Sequence, residues 1–410
     1  MKKNDNYTVM VFGFNYIPAL DVVRSVGEAG FTVNLALCSN QEKTYRIAAA
    51  SRYLNRSIRI PRTVGEEGEI GRLLDFAKET SGKEKQILFP LDDRSVYMLD
   101  KYMDLLEEQF IIPRREGFGK NDFISLMDKH RQNEIAESVG MNVPREWLVR
   151  AQKEMSVPED ICFPCYCKAL ISVPYSKKDQ RRCDSRDELL EYLKRIYEQS
   201  GETDIVVQEF LDIDEEYVII GASLPDRVLI PGVTVKVETT RYVKGLTMMG
   251  ALTETEKVDG FSETADRIAL MMEKTGYIGP FDMEFIRAGG RLYFNEWNLR
   301  VSGPEHGVKK AGVNLPGAFV DAYVNGQFDR EVYGRPAYGR IFLKEKEAIT
   351  DFEQGCRSWG NLMSLYRRAD DTFLWDPKDK KPAVLFYRYT IRHCAAAKVK
   401  KLFRRQDKAK

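Results

Sequence analysis

Two glutamates twelve residues apart, Glu284 and Glu296, lie in the stretch GPFDMEFIRAGGRLYFNEWNLR on either side of an Ala288-Gly289-Gly290 turn. Apolar residues recur on both sides of the turn, so the stretch predicts a β-hairpin whose pairing brings the two carboxylates together. Glu296 and Asn298 are two apart and share one face of their strand, and Arg300 continues that face. Two carboxylates and an amide oxygen suit a hard divalent cation held together with phosphate oxygens. A guanidinium beside them suits an anionic intermediate. Carboxylates on a strand face usually meet only water, and it is the Glu-x-Asn-x-Arg ending that makes this hairpin specific.

The elements needed to position such a hairpin can be read along the chain. YTVMVFGF, IPALDVVRSVGEAG and FTVNLAL predict a β-α-β unit with a single glycine, Gly13, at its first turn. That is short of a G-x-G-x-x-G fingerprint, so the unit carries little support for dinucleotide binding. The strand QILFPLDDRSV, the helix YMLDKYMDLLEEQ and the strand FIIP extend the alternation, which implies a parallel sheet up to about Pro113. A second, α+β unit opens on one helix, NDFISLMDKHRQNEIAESVG, ending at Gly140. The strand CFPCYCKAL, the helix SRDELLEYLKRIYEQSG, the strands DIVVQEFL and EYVIIGAS, the β-rich RVLIPGVTVKVETT and the helix SETADRIALMMEKTG lead to the hairpin. Beyond Asn325 the pattern weakens.

In this order the segments resemble the ATP-grasp superfamily, over roughly residues 7–325. The hairpin is similar to that family's metal-binding hairpin, which implies Mg²⁺ (or Mn²⁺) on Glu284, Glu296 and Asn298. DKHRQNEIAESVGMNVP resembles the family's leading helix and implies Lys129 as a phosphate lysine. FPCYCKA resembles its Phe-Pro-x-x-x-Lys strand and implies Lys168 as the second. VQEFLDIDEEY resembles the hinge, implying an adenine pocket at Glu209, Phe210 and Leu211 and a ribose contact at Glu216. One departure is plain: ALISVPYSKKDQRR holds no glycine where many of these enzymes carry a glycine-rich lid loop. Lys177, Lys178, Arg181 and Arg182 would supply charge there, a version that looks more like the D-aspartate ligase and carboxylate–amine ligase branch.

The resemblance implies an α/β pre-ATP-grasp domain at 1–113, an ATP-grasp domain at 114–325 with its lid subdomain at about 150–205, and a C-terminal region at 326–410. It implies a ligase that couples a small-molecule carboxylate to an amine through an acylphosphate, using ATP, with Arg300 and Lys168 as catalytic groups. Arg241, Lys244 and His306 are candidate substrate contacts, His306 being read otherwise as a surface loop residue. A carboxylase or purine-pathway relative, and a non-catalytic ATP-binding module, are the alternatives. A homodimer is compatible with the resemblance.

Composition excludes other classes. The chain has 410 residues, 43% apolar and 30% charged, which suits a folded soluble protein. No P-loop is present, and HRQN at 130–133 is not a kinase catalytic loop. Cys162, Cys165 and Cys167 lack a fourth ligand for a closed zinc site, so reduced, buried thiols are expected. With no apolar run near the ~20 residues of a membrane span and no secretory leader, a cytoplasmic location is the expectation. The formal charge of +1 conceals an asymmetry. Residues 391–410 carry eight basic side chains against Asp407, so the tail is +7 and the rest −6. No nucleic-acid partner is implied; Val399, Leu402 and Phe403 beneath the tail's charges leave peripheral membrane contact open.

Overall fold

The computed structural model describes residues 7–81, 85–173, 180–243, 246–301, 303 and 305–392. Five strands, β1 (Thr8–Gly13), β2 (Thr32–Cys38), β3 (Leu54–Ile60), β4 (Gln86–Pro90) and β5 (Phe110–Ile111), form a parallel sheet in the order β3-β2-β1-β4-β5. β1, β2 and β4 are nearly continuous apolar runs because helices cover both faces. The order reverses between β1 and β4, which leaves a crevice at the carboxyl ends of those strands. There Gly13 packs so closely that a Cβ would stand 2.6 Å from Leu91 Cβ, and the Phe14 N–H donates to Asp92 Oδ2 at 2.7 Å.

The expected strand QILFPLDDRSV stops at Pro90. Asp92 and Ser95 form a reciprocal cap that starts the helix Asp93–Lys101, so LDDRS belongs to a helix N-terminus. The single helix expected over NDFISLMDKHRQNEIAESVG is two, Asp122–Leu126 and Lys129–Ser138. Asp128 separates them: its carboxylate accepts from the N–H groups of His130 and Arg131, and Lys129 becomes the first residue of the second helix.

A small antiparallel sheet follows, with β6 (Glu146–Ala151), β7 (Cys165–Ala169), β8 (Arg181–Cys183) and β9 (Thr203–Glu209) in the order β6-β9-β7-β8. The helix Arg186–Ser200 lays Leu189, Tyr192, Leu193 and Ile196 over Val149, Ile205, Val207 and the fully buried Cys165, Cys167 and Cys183. Cys165 and Cys167 are free thiols inside this core, as their strand context predicted, and Cys183 joins them; Cys162, expected to be buried with them, precedes β7 and is exposed.

The largest sheet runs β15-β14-β10-β12-β13-β16-β17, with β11 beside β10. Its strands are β10 (Glu215–Ser223), β11 (Val228–Leu229), β12 (Val233–Thr239), β13 (Thr247–Thr253), β14 (Gly279–Ala288), β15 (Arg291–Asn298), β16 (Ile341–Leu343) and β17 (Asp371–Thr372). One face buries Tyr217, Ile219, Phe281, Met283, Phe285 and Trp297 together with Phe261, Ile268, Met271 and Met272 of the helix Phe261–Thr275. The other face turns Val218, Ile220 and Leu252 into the core shared with the helix Tyr16–Glu28 and the β1–β4 sheet. Polar residues on that second face form the site.

Candidate active site

The hairpin is present, and its register is set by a bulge. Gly289 (φ 54°) and Gly290 (φ 76°) make the turn, a left-handed pair that glycine adopts without a Cβ penalty. From the turn, Ala288 faces Arg291 and Phe285 faces Phe294. A regular ladder would next set Glu284 against Asn295. Instead the register shifts by one, so that Glu284 faces Glu296, and Asp282 faces Asn298. The slip puts Glu296 and Asn298 on the polar face with Glu284 and Asp282, where an unbroken ladder would have turned them away.

Two lysines reach this face, one from the head of a helix and one from the small sheet. Lys129 Nζ lies 2.7 Å from Glu296 Oε1 and 2.8 Å from Ser172 Oγ, and its own N–H donates to Leu170 O. Its position at the head of a helix follows from the Asp128 cap. Lys168, next to last in β7, is buried. Burial first, then the Lys129 charge, pushes its pKa down to about 8 against the pull of Glu296, Glu146 and Glu284. Glu146 ties the small sheet to the Lys129 helix: it accepts from Gln208 Nε2 at 3.0 Å and from Asn133, and pairs with His130 Nδ1 at 2.6 Å.

Arg300 follows β15. Its Nε donates to Asp93 Oδ1 at 2.9 Å, its Nη2 donates to Asn298 Oδ1 at 3.1 Å, and Asp282 Oδ2 is 3.6 Å away. Burial opposes the charge on Arg300, but Asp93 and Asp282 outweigh it and raise the pKa. Sequence reasoning missed Asp93, Asp282 and Ser172. The paired aspartates of PLDDRS, at the carboxyl end of a predicted strand, were the signal for Asp93. Through it the crevice at the β1/β4 reversal opens toward Arg300.

The remaining candidates divide. Phe210 and Leu211 lie in the connection from β9 to β10, between the small sheet and the large sheet. The Glu209 side chain accepts from the Arg145 N–H at 2.9 Å. Glu216 Oε1 sits 3.0 Å from Lys236 Nζ on the polar face. Arg182 pairs with Asp184 and stacks its guanidinium 4.3 Å from the centre of the Phe210 ring, while Arg181 approaches Glu191 at 3.6 Å. Arg241 lies in an exposed loop whose backbone is held by Asp351, which accepts from the N–H groups of Arg241 and Tyr242. Lys177, Lys178 and Lys244 lie outside the described residues. His306 is not a surface loop residue. It sits in the helix Glu305–Lys310 with no exposure, its Nδ1 2.6 Å from Asp21 Oδ1 and its ring against Phe373. Burial lowers its pKa against the pull of Asp21, so it serves the packing of that helix on Tyr16–Glu28.

Among the described residues no group of three His, Cys, Asp or Glu side chains is arranged to hold a metal ion. Glu284, Glu296 and Asn298 offer two carboxylates and an amide oxygen, the donor set of a cation that completes its shell with phosphate oxygens and water. The Lys129–Glu296 ion pair is consistent with that fit: a cation already balances one of these carboxylates.

No family model matches the chain. It is 24% identical over 355 residues to the D-aspartate ligase of Enterococcus faecium, covering 81% of this chain and 80% of that protein. It is 22% identical over 326 residues to the carbamoyl phosphate synthase large chain of Saccharolobus islandicus, of which it spans only 30%. Among solved structures it resembles an L-amino acid ligase from Bacillus licheniformis (TM-score 0.61, 16% identity, 83% of this chain and 79% of that one). It also resembles the N5-carboxyaminoimidazole synthetase of Staphylococcus aureus complexed with ADP (TM-score 0.63, 16% identity, 87% and 88%). In fold and in the order of its motifs the chain is similar to these proteins, and its architecture is that of the ATP-grasp ligases among them.

Proposed function

We propose that the protein is an ATP-dependent carboxylate–amine ligase that forms an amide or peptide bond through an acylphosphate and releases ADP and phosphate. The observation that carries this reading is the opposition of Glu284 and Glu296 on one sheet face, with Asn298 and Arg300 continuing it and Lys129 and Lys168 converging from the lid side. The relatives named D-aspartate ligase and L-amino acid ligase support it.

In this reading the adenine lies against Phe210 and Leu211, Glu216 meets the ribose, and Lys129 and Lys168 hold the phosphates. Glu284, Glu296 and Asn298 would hold Mg²⁺, which when bound neutralises charge on the phosphate oxygens. ATP binding would draw Lys129 from Glu296 toward the phosphates and leave that carboxylate to the cation. The substrate carboxylate attacks the γ-phosphorus, the bond to the ADP oxygen breaks, and an amine then displaces phosphate from the acyl carbon. Arg300, oriented by Asp93 and Asn298, stabilises the oxyanion of that second step.

The test is ADP and phosphate release with pooled amino acids as substrates. Stimulated release is expected, with Glu296→Gln slower by about 100-fold or more. AMP as the product would overturn the acylphosphate route. Stimulation by bicarbonate alone would replace the ligase with a carboxylase, and nucleotide binding without release under any amine would leave a binding module.

A further inference from the structure

Two buried ammonium groups near the site, Lys168 and Lys344, have neither a hydrogen bond nor an ion pair from the side chain among the described residues. Lys168 faces the proposed phosphate position. Lys344 has no assigned part, and it comes from the C-terminal segment where the sequence pattern is weakest.

The sheet places it. Met249 faces Leu343 and Gly250 faces Phe342, and the Lys344 N–H extends that ladder by donating to Met248 O at 2.9 Å. Following the register from strand to strand, Phe342 shares a face with Gly250, Gly250 with Lys236, and the Lys236 side with Glu216, Val218 and Glu284. Lys344, two residues beyond Phe342, therefore rises from the face that bears the site. Its ammonium ends against the loop that leaves β15: a Cβ on Gly303, three residues after Arg300, would stand 2.9 Å from Lys344 Nζ. The charges around it are mixed, Glu347 and Asp282 against Lys346 and Lys236, and burial is the main force lowering its pKa. An ammonium buried with no hydrogen-bonded counter-charge is costly in a protein interior. Such a cost is maintained where a ligand supplies the missing charge.

We propose that Lys344 is the subsite for an oxyanion of the acid substrate, a carboxylate held across the Gly303 loop from Arg300. The assignment rests on the ligase reading and adds a recognition residue to it. The carboxylate accepts hydrogen bonds from the ammonium.

The test is thermal unfolding of the full chain and of Lys344→Met, each alone, with Mg-ADP, and with succinate, aspartate or inorganic phosphate added to Mg-ADP. The ligand-free Lys344→Met protein should melt at or above the wild-type temperature, because an unpaired buried charge is replaced by an apolar chain of similar length. Succinate or aspartate should stabilise the wild type, with affinity weakened at least about tenfold in Lys344→Met and partly restored in Lys344→Arg. The Mg-ADP shift should be the same in all three. A destabilised Lys344→Met would make the ammonium structural and overturn the proposal, as would a carboxylate shift that is absent from the wild type or equal in both proteins. A phosphate shift lost in Lys344→Met while the carboxylate shifts persist would assign the subsite to a phosphoryl group and overturn the carboxylate. If Mg-ADP fails to stabilise the wild type, the nucleotide reading fails, and the carboxylate comparison is decided separately without nucleotide.

Discussion

Lys168 and Lys129 stand together against Glu296, Glu146 and Glu284, and the balance leaves Lys168 with a pKa of about 8. In the unfolded chain a lysine holds its proton to about pH 10.4. Between these values the unfolded state binds the extra proton, so stability rises with pH across that window, and the penalty is fully present below pH 8. Its size is about 3 kcal/mol. Lys168→Met should remove this rise, so the difference in unfolding free energy between variant and wild type, measured by urea titration from pH 7 to 10.5, should shrink as pH increases. A constant difference would mean that Lys168 is not titrating. The same residue marks a limit of the sequence: a lysine after Phe-Pro-x-x-x is visible in FPCYCKA, but its burial and its cationic neighbour depend on where the small sheet meets the large sheet.

At the scale of elements, the hairpin and the Lys129 helix carry the geometry. The Gly289-Gly290 turn was legible because two glycines between alternating strands specify a left-handed turn. Gly290→Val should destabilise the protein by about 1–2 kcal/mol, since a β-branched residue pays for φ near +76° without relief from the open space around it. Equilibrium unfolding measures this, and a change under 0.5 kcal/mol would show that the turn relaxes. The bulge was not legible. Counting from the turn alone pairs Glu284 with Asn295, and the composition of FNEW gives no reason for the shift. Burial supplies one. With the shift, Trp297 goes into the apolar core beside Tyr277 while Glu296 stays on the polar face. Without it, Trp297 would turn to the polar face and Glu296 into that core. Likewise the break at Asp128 is a capping event, visible in principle as Asp before a helical run, but overridden in sequence reading by apolar periodicity that continues across it.

For the molecule as a whole, the C-terminal segment is bound both to the large sheet and to the helix Tyr16–Glu28. β16 pairs with β13, and Arg24 of the helix Tyr16–Glu28 donates to Asp379 Oδ2 at 3.0 Å, with its Nη2 reaching Leu374 O and Asp379 O. Asp379 also accepts from Ser51 Oγ and the Arg52 N–H. Asp379→Ala would leave Arg24 buried and partly unanswered, and should cost about 3–5 kcal/mol. Urea unfolding measures this, and a loss below 1 kcal/mol would mean that water reaches the guanidinium. No helix among the described residues is long and apolar enough to cross a membrane. The basic residues from 393 onward lie outside the described residues.

What could be read from residue types and spacing was local: the hairpin, the two lysines, the hinge segment and the fixed order that links them to one superfamily. Each depends on neighbours within a dozen positions, or on a pattern that the chain carries linearly. The partners of those groups were not readable, because Asp93, Asp282, Glu146 and Lys344 come from four separate segments and meet only when the parallel sheet, the small sheet and the large sheet close on one face. Nor was the face itself. A one-residue shift at Glu284 chooses it, and that choice is made by the core that Trp297 must join.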